Sequence, residues 1–283
     1  MKKIVFSVFL MFLSSLVEAD VLYQDPTGAS LNEAFDQLSE DEVKNVSTGN
    51  VAKKEYMLGM LNLNGDDEFH VEQNCEKAVS LLTSSSEAGV ADAQHALATM
   101  YYHGVCVEKN IEKSRELATQ SAEKGYILSQ RMLGLAYVGE KWDELVSYDV
   151  DQGVFWLSEA GNAGDRVSAG ELSYMYDKGD KVPEDKEVSF SWLKKAVFNK
   201  FEKRNRIGFR ALAGVYETGD GTDVDLVQAY KYYDLMGTAG AKGKQRIADQ
   251  MTQAQIDEAV RQSQAWQEEH NVQIGGGFIR RAN

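Results

Sequence analysis

Apolar residues recur through the middle of the chain with the spacing of paired amphipathic helices. Ala93, Leu97 and Tyr101 follow one another at intervals of four residues, which places them on one face of an α-helix. A short glycine-containing stretch leads to Asn110, and a second apolar-periodic stretch then runs to Gly125. The pattern predicts a hairpin of two α-helices.

The same pattern is written about five times between residues 50 and 240. Gly89, Gly125 and Gly164 close successive units at steps of 36 and 39 residues, whereas Lys200 takes the position of the fourth closing glycine. Repetition at this period is typical of stacked helical repeats. A leucine marks the first helix of each unit: Leu58, Leu97, Leu133, Leu172 and Leu212. A large apolar residue marks the second helix: Leu81, Leu117, Trp156, Trp192 and Tyr232.

An asparagine or aspartate stands where each second helix is expected to begin. Their side chains accept hydrogen bonds from the unpaired amides of a helix start, so we predict that they are N-caps. The five residues are Asn74, Asn110, Asp149, Asp185 and Asp225.

These motifs resemble those of the Sel-1-like repeat family, a branch of the tetratricopeptide-like α-solenoids. The resemblance is carried by the opening Ala93-x-x-x-Leu97-Ala98-x-x-Tyr101, the turn 104–107 and the closing Trp156-x-x-x-Ala160-Gly161-x-x-Gly164. It implies an all-α, right-handed solenoid of about five helix-turn-helix repeats with terminal capping helices. It also implies an adaptor that binds a protein or peptide partner.

The start of the chain predicts export. Lys2 and Lys3 precede an apolar run over residues 4–16, which is too short to span a bilayer and indicates a secretory signal peptide, with an uncleaved anchor as the alternative. A bacterial signal of this type would place the protein in the periplasm. We therefore divide the chain into a signal peptide (1–19), an N-terminal cap segment (20–49), five repeats (50–89, 90–125, 126–164, 165–201 and 202–240), C-terminal capping helices (241–272) and a flexible glycine-rich tail (273–283).

The charge of the chain narrows the choice of partner. The formal net charge is −14 at pH 7, and the sequence has no basic stripe of the kind that binds nucleic acid. The acidity also disfavours contact with anionic lipid, but it can steer basic partners. We expect no nucleic-acid partner and no integral membrane span after signal cleavage.

One cluster could carry chemistry: His70, Cys75, His103 and Cys106. In an oxidising compartment the two cysteines are most simply a disulfide, which would close a loop of about 30 residues and contribute about 3 to 4 kcal/mol. Free or intermolecular thiols are a second interpretation, and a zinc site with two His and two Cys ligands is a third. A Cys–His nucleophile and base would need the thiol to be free. We expect no cofactor and no enzymatic activity.

Residues two positions before or after the leucine column point away from the helix-pairing seam and are expected to line the groove of the solenoid. Arg, Met and Tyr are suited to such a surface because large side chains dominate binding energy. A longer loop, 139–149, holds Trp142, which either contacts a partner or folds back onto its own repeat. The groove candidates are His95, Arg131, Arg210, Tyr174 and Met60.

The sequence thus predicts a non-enzymatic periplasmic scaffold that holds an unidentified protein or peptide partner in its groove. Two alternatives belong to other classes. One is a metal-binding protein or hydrolytic enzyme centred on the His70, Cys75, His103 and Cys106 loops. The other is a structural protein associated with the cell wall, whose aromatic groove contacts polysaccharide.

Overall fold

The computed structural model describes residues 21–38, 51–202 and 208–274, and these form thirteen α-helices. The predicted signal peptide, part of the N-terminal cap segment and most of the predicted tail lie outside the described residues. Within them, the one β-type pairing is an isolated bridge between Asp66 and Val71. The helices are α1 (Ala29–Asp36), α2 (Val51–Asn64), α3 (Cys75–Glu87), α4 (Ala91–His103), α5 (Ile111–Glu123), α6 (Ile127–Tyr137), α7 (Val150–Asn162), α8 (Arg166–Lys178), α9 (Lys186–Val197), α10 (Phe209–Thr218), α11 (Leu226–Leu235), α12 (Ala241–Ala248) and α13 (Gln253–Glu269).

Helices that are adjacent in sequence pack together. Five hairpins form, pairing α2 with α3, α4 with α5, α6 with α7, α8 with α9, and α10 with α11. Successive hairpins then meet through the contacts of α3 with α4, α5 with α6, α7 with α8, and α9 with α10. This sequential stacking is the organisation of a solenoid, in which each repeat buries its apolar face against its neighbours. The prediction of an all-α solenoid of five repeats is confirmed.

The second helix of every hairpin begins at an asparagine or aspartate whose side chain accepts a hydrogen bond from a backbone amide. The acceptor oxygen Oδ1 of Asn74, for example, lies 2.9 Å from the amide nitrogen of Lys77. Loss of such a cap typically costs about 1 kcal/mol. The same arrangement occurs at Asn110, Asp149, Asp185 and Asp225.

The loop before each of these caps contains a residue with positive φ. Only glycine adopts this left-handed backbone without steric cost, yet most of these loops place a larger residue there. The residues are His70, Cys106, Trp142, Lys181 and Gly221, with φ between 52° and 80°. Except for Trp142 in the longer loop, each stands four residues before its cap.

In the first and third hairpins the two helices approach each other closely at the glycine that follows the column leucine. A Cβ atom added to Gly59 would lie 2.7 Å from Cγ of Leu82, and one added to Gly134 would lie 2.7 Å from Cγ of Leu157. Leu82 and Leu157 are fully buried. The large apolar residues that mark the second helix in the sequence pattern, Leu81 and Trp156, stand one residue earlier in the chain. Their side chains are only partly buried because they do not face the glycine.

Buried apolar side chains group into three clusters along the solenoid. The first extends from Tyr23 to Leu145 and includes the first two hairpins. The second joins the third and fourth hairpins around Leu157 and Met175. The third runs from Phe190 to Ala259 and includes the C-terminal helices.

The C-terminal end is closed by α12 and α13. Asp234 of α11 forms a buried ion pair with Lys244 of α12 at 2.6 Å and accepts a hydrogen bond from the hydroxyl of Ser263 in α13 at 2.6 Å. Helix α13 starts at a capping box formed by Thr252 and Gln255. Polar and apolar contacts therefore fix both terminal helices to the last hairpin.

Two glycine-to-alanine substitutions should separate helix packing from helix propensity. In Gly134→Ala, the new methyl group would meet Leu157 at both Cγ and the backbone nitrogen, 2.7 and 2.9 Å away, so we expect a loss of about 1 to 3 kcal/mol in unfolding free energy. Gly170→Ala, in α8, would place its methyl group in open space and should gain about 0.5 to 1 kcal/mol. Urea unfolding followed by circular dichroism measures both. Equal effects of the two substitutions would contradict the close approach of α6 and α7.

Candidate binding groove

The cysteines of the predicted chemical cluster form a disulfide bond. Cys75 is the first residue of α3 and Cys106 lies in the loop after α4, with their Cα atoms 5.0 Å apart. The bond joins the second helix of the first repeat to the loop of the second repeat. Because both sulfurs are oxidised, neither is a thiolate that could ligate zinc or attack a substrate. Among residues 21–38, 51–202 and 208–274, no group of three or more His, Cys, Asp and Glu side chains is arranged to hold a metal ion.

The disulfide predicts a redox-dependent stability. Dithiothreitol should lower the unfolding free energy by about 3 kcal/mol, because reduction frees a loop of 31 residues in the unfolded chain. A Cys75→Ser/Cys106→Ser double variant should have the lower stability from the start and should not respond to dithiothreitol. Urea unfolding with and without the reductant measures this, and two free thiols in the untreated protein would contradict the bond.

A cavity of about 350 Å³ lies on the side of the solenoid lined by the first helices of the hairpins. The N-terminal segment, residues 21–38, covers this cavity, while α2, α4 and the start of α6 form its floor. We call it the groove cavity. Its lining is mostly apolar, including Leu31, Met60, Leu63 and Met100. A mostly apolar space of this size is within the range of ligand pockets.

Asp92 fixes the N-terminal segment over the groove cavity. Its two carboxylate oxygens accept hydrogen bonds from consecutive backbone amides, that of Leu22 at 2.8 Å and that of Tyr23 at 3.0 Å. Asp92 lies in the first turn of α4 and is almost fully buried. The segment therefore reaches the second repeat, where its main chain is hydrogen-bonded to the Asp92 carboxylate.

Tyr23 anchors the same segment through its side chain. The ring is buried, its centroid lies 6.0 Å from that of Tyr56, and its hydroxyl donates to the sulfur of Met57 at 3.2 Å. Helix α1, by contrast, has no buried residue. Its Leu31 and Phe35 are partly buried against the first core cluster, so the Asp92 and Tyr23 contacts supply the fully buried part of the attachment.

His95 contributes a polar group whose tautomer follows from its neighbours. The hydroxyl of Ser121 donates to the carbonyl of Ala91 at 2.7 Å, and the hydroxyl of Ser129 donates to Ser121 at 2.8 Å. Ser129 has thus used its only proton, so it accepts from Nδ1 of His95, 2.8 Å away. The Nε2 atom of His95 is then left as a hydrogen-bond acceptor.

Burial perturbs both titratable groups of the groove cavity. It raises the pKa of Asp92 to about 6, although the amides of Leu22 and Tyr23 oppose this rise. It lowers the pKa of His95 to about 4, and the positive charge of Arg131 acts in the same direction. Near neutral pH the site therefore holds an ionised Asp92 beside a neutral His95.

The structure brings only some of the predicted groove residues together. Met60 and His95 line the groove cavity. Arg131 is bound to the buried carboxylate of Asp165 at 3.0 Å, whereas Tyr174 and Arg210 are exposed on later repeats. Trp142 packs against two core clusters, which agrees with the fold-back interpretation, and the exposed aromatic residue of its loop is Tyr148.

The sequence reasoning missed the residues that hold the N-terminal segment. Asp92 was not singled out because an acid in the first turn of a helix is ordinarily a favourable partner of the helix dipole. Tyr23 lies outside the repeats and 69 residues from the carboxylate that binds its amide. One feature of the sequence indicates a buried role for Asp92: it is an acid between Ala91 and Ala93, at a helix start that is otherwise buried.

A family model described as "Sel1 repeat" matches five segments of the chain: 55–90, 91–126, 127–165, 168–197 and 210–240. Together the segments cover more than half of the 283 residues. The chain belongs to the Sel1 repeat family. No curated protein is significantly similar to this Sel1 repeat protein.

One solved structure supports the fold, and two others are reported as more distant similarities. A Sel1 repeat protein from Oxalobacter formigenes is 24% identical with a TM-score of 0.57, and the match covers 69% of this chain and 55% of that one. The chain therefore spans about half the length of that relative. An immunity protein, Pa5087, from Pseudomonas aeruginosa is 18% identical with a TM-score of 0.45 over 77% of this chain and 84% of that one. The protective antigen c5321 of uropathogenic Escherichia coli is 20% identical with a TM-score of 0.34 over 77% and 61%.

The opposite pKa shifts of Asp92 and His95 predict compensating pH dependences in this Sel1 repeat protein. The raised pKa of Asp92, from 3.8 to about 6, means that the folded state binds more protons, so its contribution to stability falls as pH rises from 4 to 6. The lowered pKa of His95, from 6.5 to about 4, means that the unfolded state binds more protons, so its contribution rises over pH 4 to 6.5.

Each single substitution should therefore reveal the dependence of the other group. Relative to the wild type, Asp92→Asn should gain stability as pH rises from 4 to 6, and His95→Gln should lose stability as pH rises from 4 to 6.5. The difference in slope is at most about 1.4 kcal/mol per pH unit for one proton. Urea unfolding at several pH values measures it, and parallel curves for all three proteins would contradict the shifts.

Proposed function

We propose that this protein is an exported, periplasmic Sel1 repeat scaffold that binds a segment of a protein partner in the groove of its first two repeats. It carries out no catalysis and needs no cofactor. The observation that supports this most directly is the groove cavity, a preformed apolar space of about 350 Å³ beside polar groups at fixed positions. Such a combination binds apolar side chains and orients the main chain that carries them.

The helical frame supports binding of a protein segment because it is already ordered. Most residues of the groove cavity belong to α2, α4 and α6, whose positions are set by hairpin packing and by the Cys75–Cys106 bond. On binding, conformational entropy is then lost mainly by the partner and not by the scaffold, which lowers the entropic cost of association. Tyrosine and methionine side chains on this surface suit varied apolar partners.

Export is supported by two features that are independent of the groove. The chain starts with a basic and then apolar pattern, and its two cysteines are paired, as is usual in an oxidising compartment. Among the described residues, no helix is long and apolar enough to cross a membrane.

A second candidate function, association with cell-wall polysaccharide, is supported by exposed aromatic side chains. Tyr148, Phe155 and Tyr174 are each at least half exposed, at 62%, 50% and 54%. Flat aromatic surfaces of this kind can stack on sugar rings. Retention on purified peptidoglycan that is lost on Phe155→Ala or Tyr174→Ala would favour this function.

Photocrosslinking in intact cells tests the scaffold function. A photoreactive amino acid placed at Met60 or Thr99, which line the groove cavity, should give a reproducible protein adduct of one size. The same amino acid at Glu112, whose side chain is 88% exposed on α5, should give none. Immunoblotting of irradiated cells measures both.

A charge in the groove cavity provides the matched mutational test. Met60→Glu should abolish the adduct formed at Thr99, because a carboxylate is costly to bury against apolar side chains. Arg210→Glu, on the exposed surface of the fifth repeat, should leave it intact. An adduct that survives Met60→Glu, or equal adducts at Met60 and Glu112, would contradict binding in this groove.

A further inference from the structure

The N-terminal segment occupies the groove in the manner of a bound peptide. It runs over α2 and α4, and its main chain donates hydrogen bonds to Asp92. Its Tyr23 ring lies beside Tyr56, and the Tyr23 hydroxyl donates to the sulfur of Met57. A cap that only shielded the edge of the first repeat would not need the contact with Asp92 in the second repeat. The segment thus shows which chemistry this surface recognises.

The fit of the segment is incomplete. The groove cavity remains open beneath Gly28 and Leu31, and α1 buries none of its residues. The hydrogen bonds from the segment to Asp92 and Met57 are made by residues 22 and 23, whereas Leu31 and Phe35 of α1 are partly buried against the first core cluster. A competing segment with the same anchor and a larger apolar side chain over the cavity would bury more apolar surface and bind more tightly.

We infer that residues 21–38 are an intramolecular occupant of the groove, and that a partner binds by displacing them with an extended segment of the same chemistry. The partner segment offers two consecutive backbone amides to Asp92 and an aromatic side chain to the position beside Tyr56 that Tyr23 occupies. It also offers a bulky apolar side chain to the groove cavity. The inference rests on the proposed scaffold function and adds its regulation, because the occupant must leave before the partner binds.

Covalent attachment makes the occupant a strong competitor. Residues 39–50 tether the segment to α2, and a short tether gives an effective concentration on the order of millimolar. A free peptide at micromolar concentration therefore binds appreciably only when the tethered segment is weakened.

A labelled peptide with the sequence of residues 20–38 tests the inference by fluorescence polarisation against the full chain. We expect weak binding to the wild type and at least tenfold tighter binding to Tyr23→Ala, in which the tethered anchor is lost. Leu22→Pro, which removes one amide donor to Asp92 but keeps the tyrosine ring, should also tighten binding. Tyr148→Ala, at an exposed tyrosine outside the groove, is the matched control and should bind as the wild type does.

Three further arms identify the site. Adding Asp92→Ala to Tyr23→Ala should abolish binding, and a peptide with Ala in place of Tyr23 should not bind. A peptide with Trp in place of Leu31 should bind several-fold more tightly, because Leu31 borders the groove cavity. Circular dichroism establishes whether each variant is folded. If Tyr23→Ala does not fold, the comparison is made with Leu22→Pro instead.

Equal binding of the peptide to the wild type and to both weakened variants would overturn the inference, as would binding that is indifferent to Asp92→Ala. A dimer of the wild type that Tyr23→Ala dissociates would show that the segment reaches a second copy instead, which also contradicts an intramolecular occupant. If the peptide never binds but the Met60 adduct persists in cells, the inference fails and the scaffold function stands. Loss of both would refute the two together.

Discussion

Close packing of the two helices in a hairpin, clearest in the first and third hairpins, is the constraint on which the rest of the structure depends. At Gly59 and Gly134 the paired helix lies so near that no side chain fits, and a buried leucine of that helix takes the space. Dispersion contacts at this distance are sensitive to shifts of a few tenths of an ångström. The hairpins are therefore rigid units, and their stacking determines where α2, α4 and α6 present their outer faces.

Local features of this frame could be predicted from the sequence because they follow from helical periodicity and from short-range hydrogen bonds. The number of repeats and the positions of the caps are of this kind, since Asn110 needs only an amide three residues away. The depth of packing was less predictable. Size alone suggests that Trp156 is more buried than Leu157. In the structure Leu157 is the fully buried residue, because it is the one that faces Gly134. The left-handed backbone conformation of His70 and Lys181 could likewise not be predicted, because these residue types usually avoid positive φ.

The groove depended on information that no repeat pattern contains. The spacing of Met60 and His95 placed them on one face, and both line the cavity, whereas the contact of Asp92 with Leu22 and Tyr23 is a long-range contact of a non-repeating segment. That contact also has an energetic logic. A buried carboxylate without donors is strongly destabilising, so whatever covers Asp92 has to supply hydrogen bonds as well as apolar surface. Under the proposed function, this requirement favours a peptide main chain over a purely apolar molecule.

The division of the buried side chains into three clusters has a consequence for how the molecule comes apart. The residues that line the groove cavity lie near or within the first cluster, which the disulfide also braces, and the third cluster shares no residue with it. In a linear array, cooperativity passes only between adjacent units. Fraying that begins among the C-terminal helices can thus stop at the middle of the chain, so damage at that end leaves the groove cavity intact.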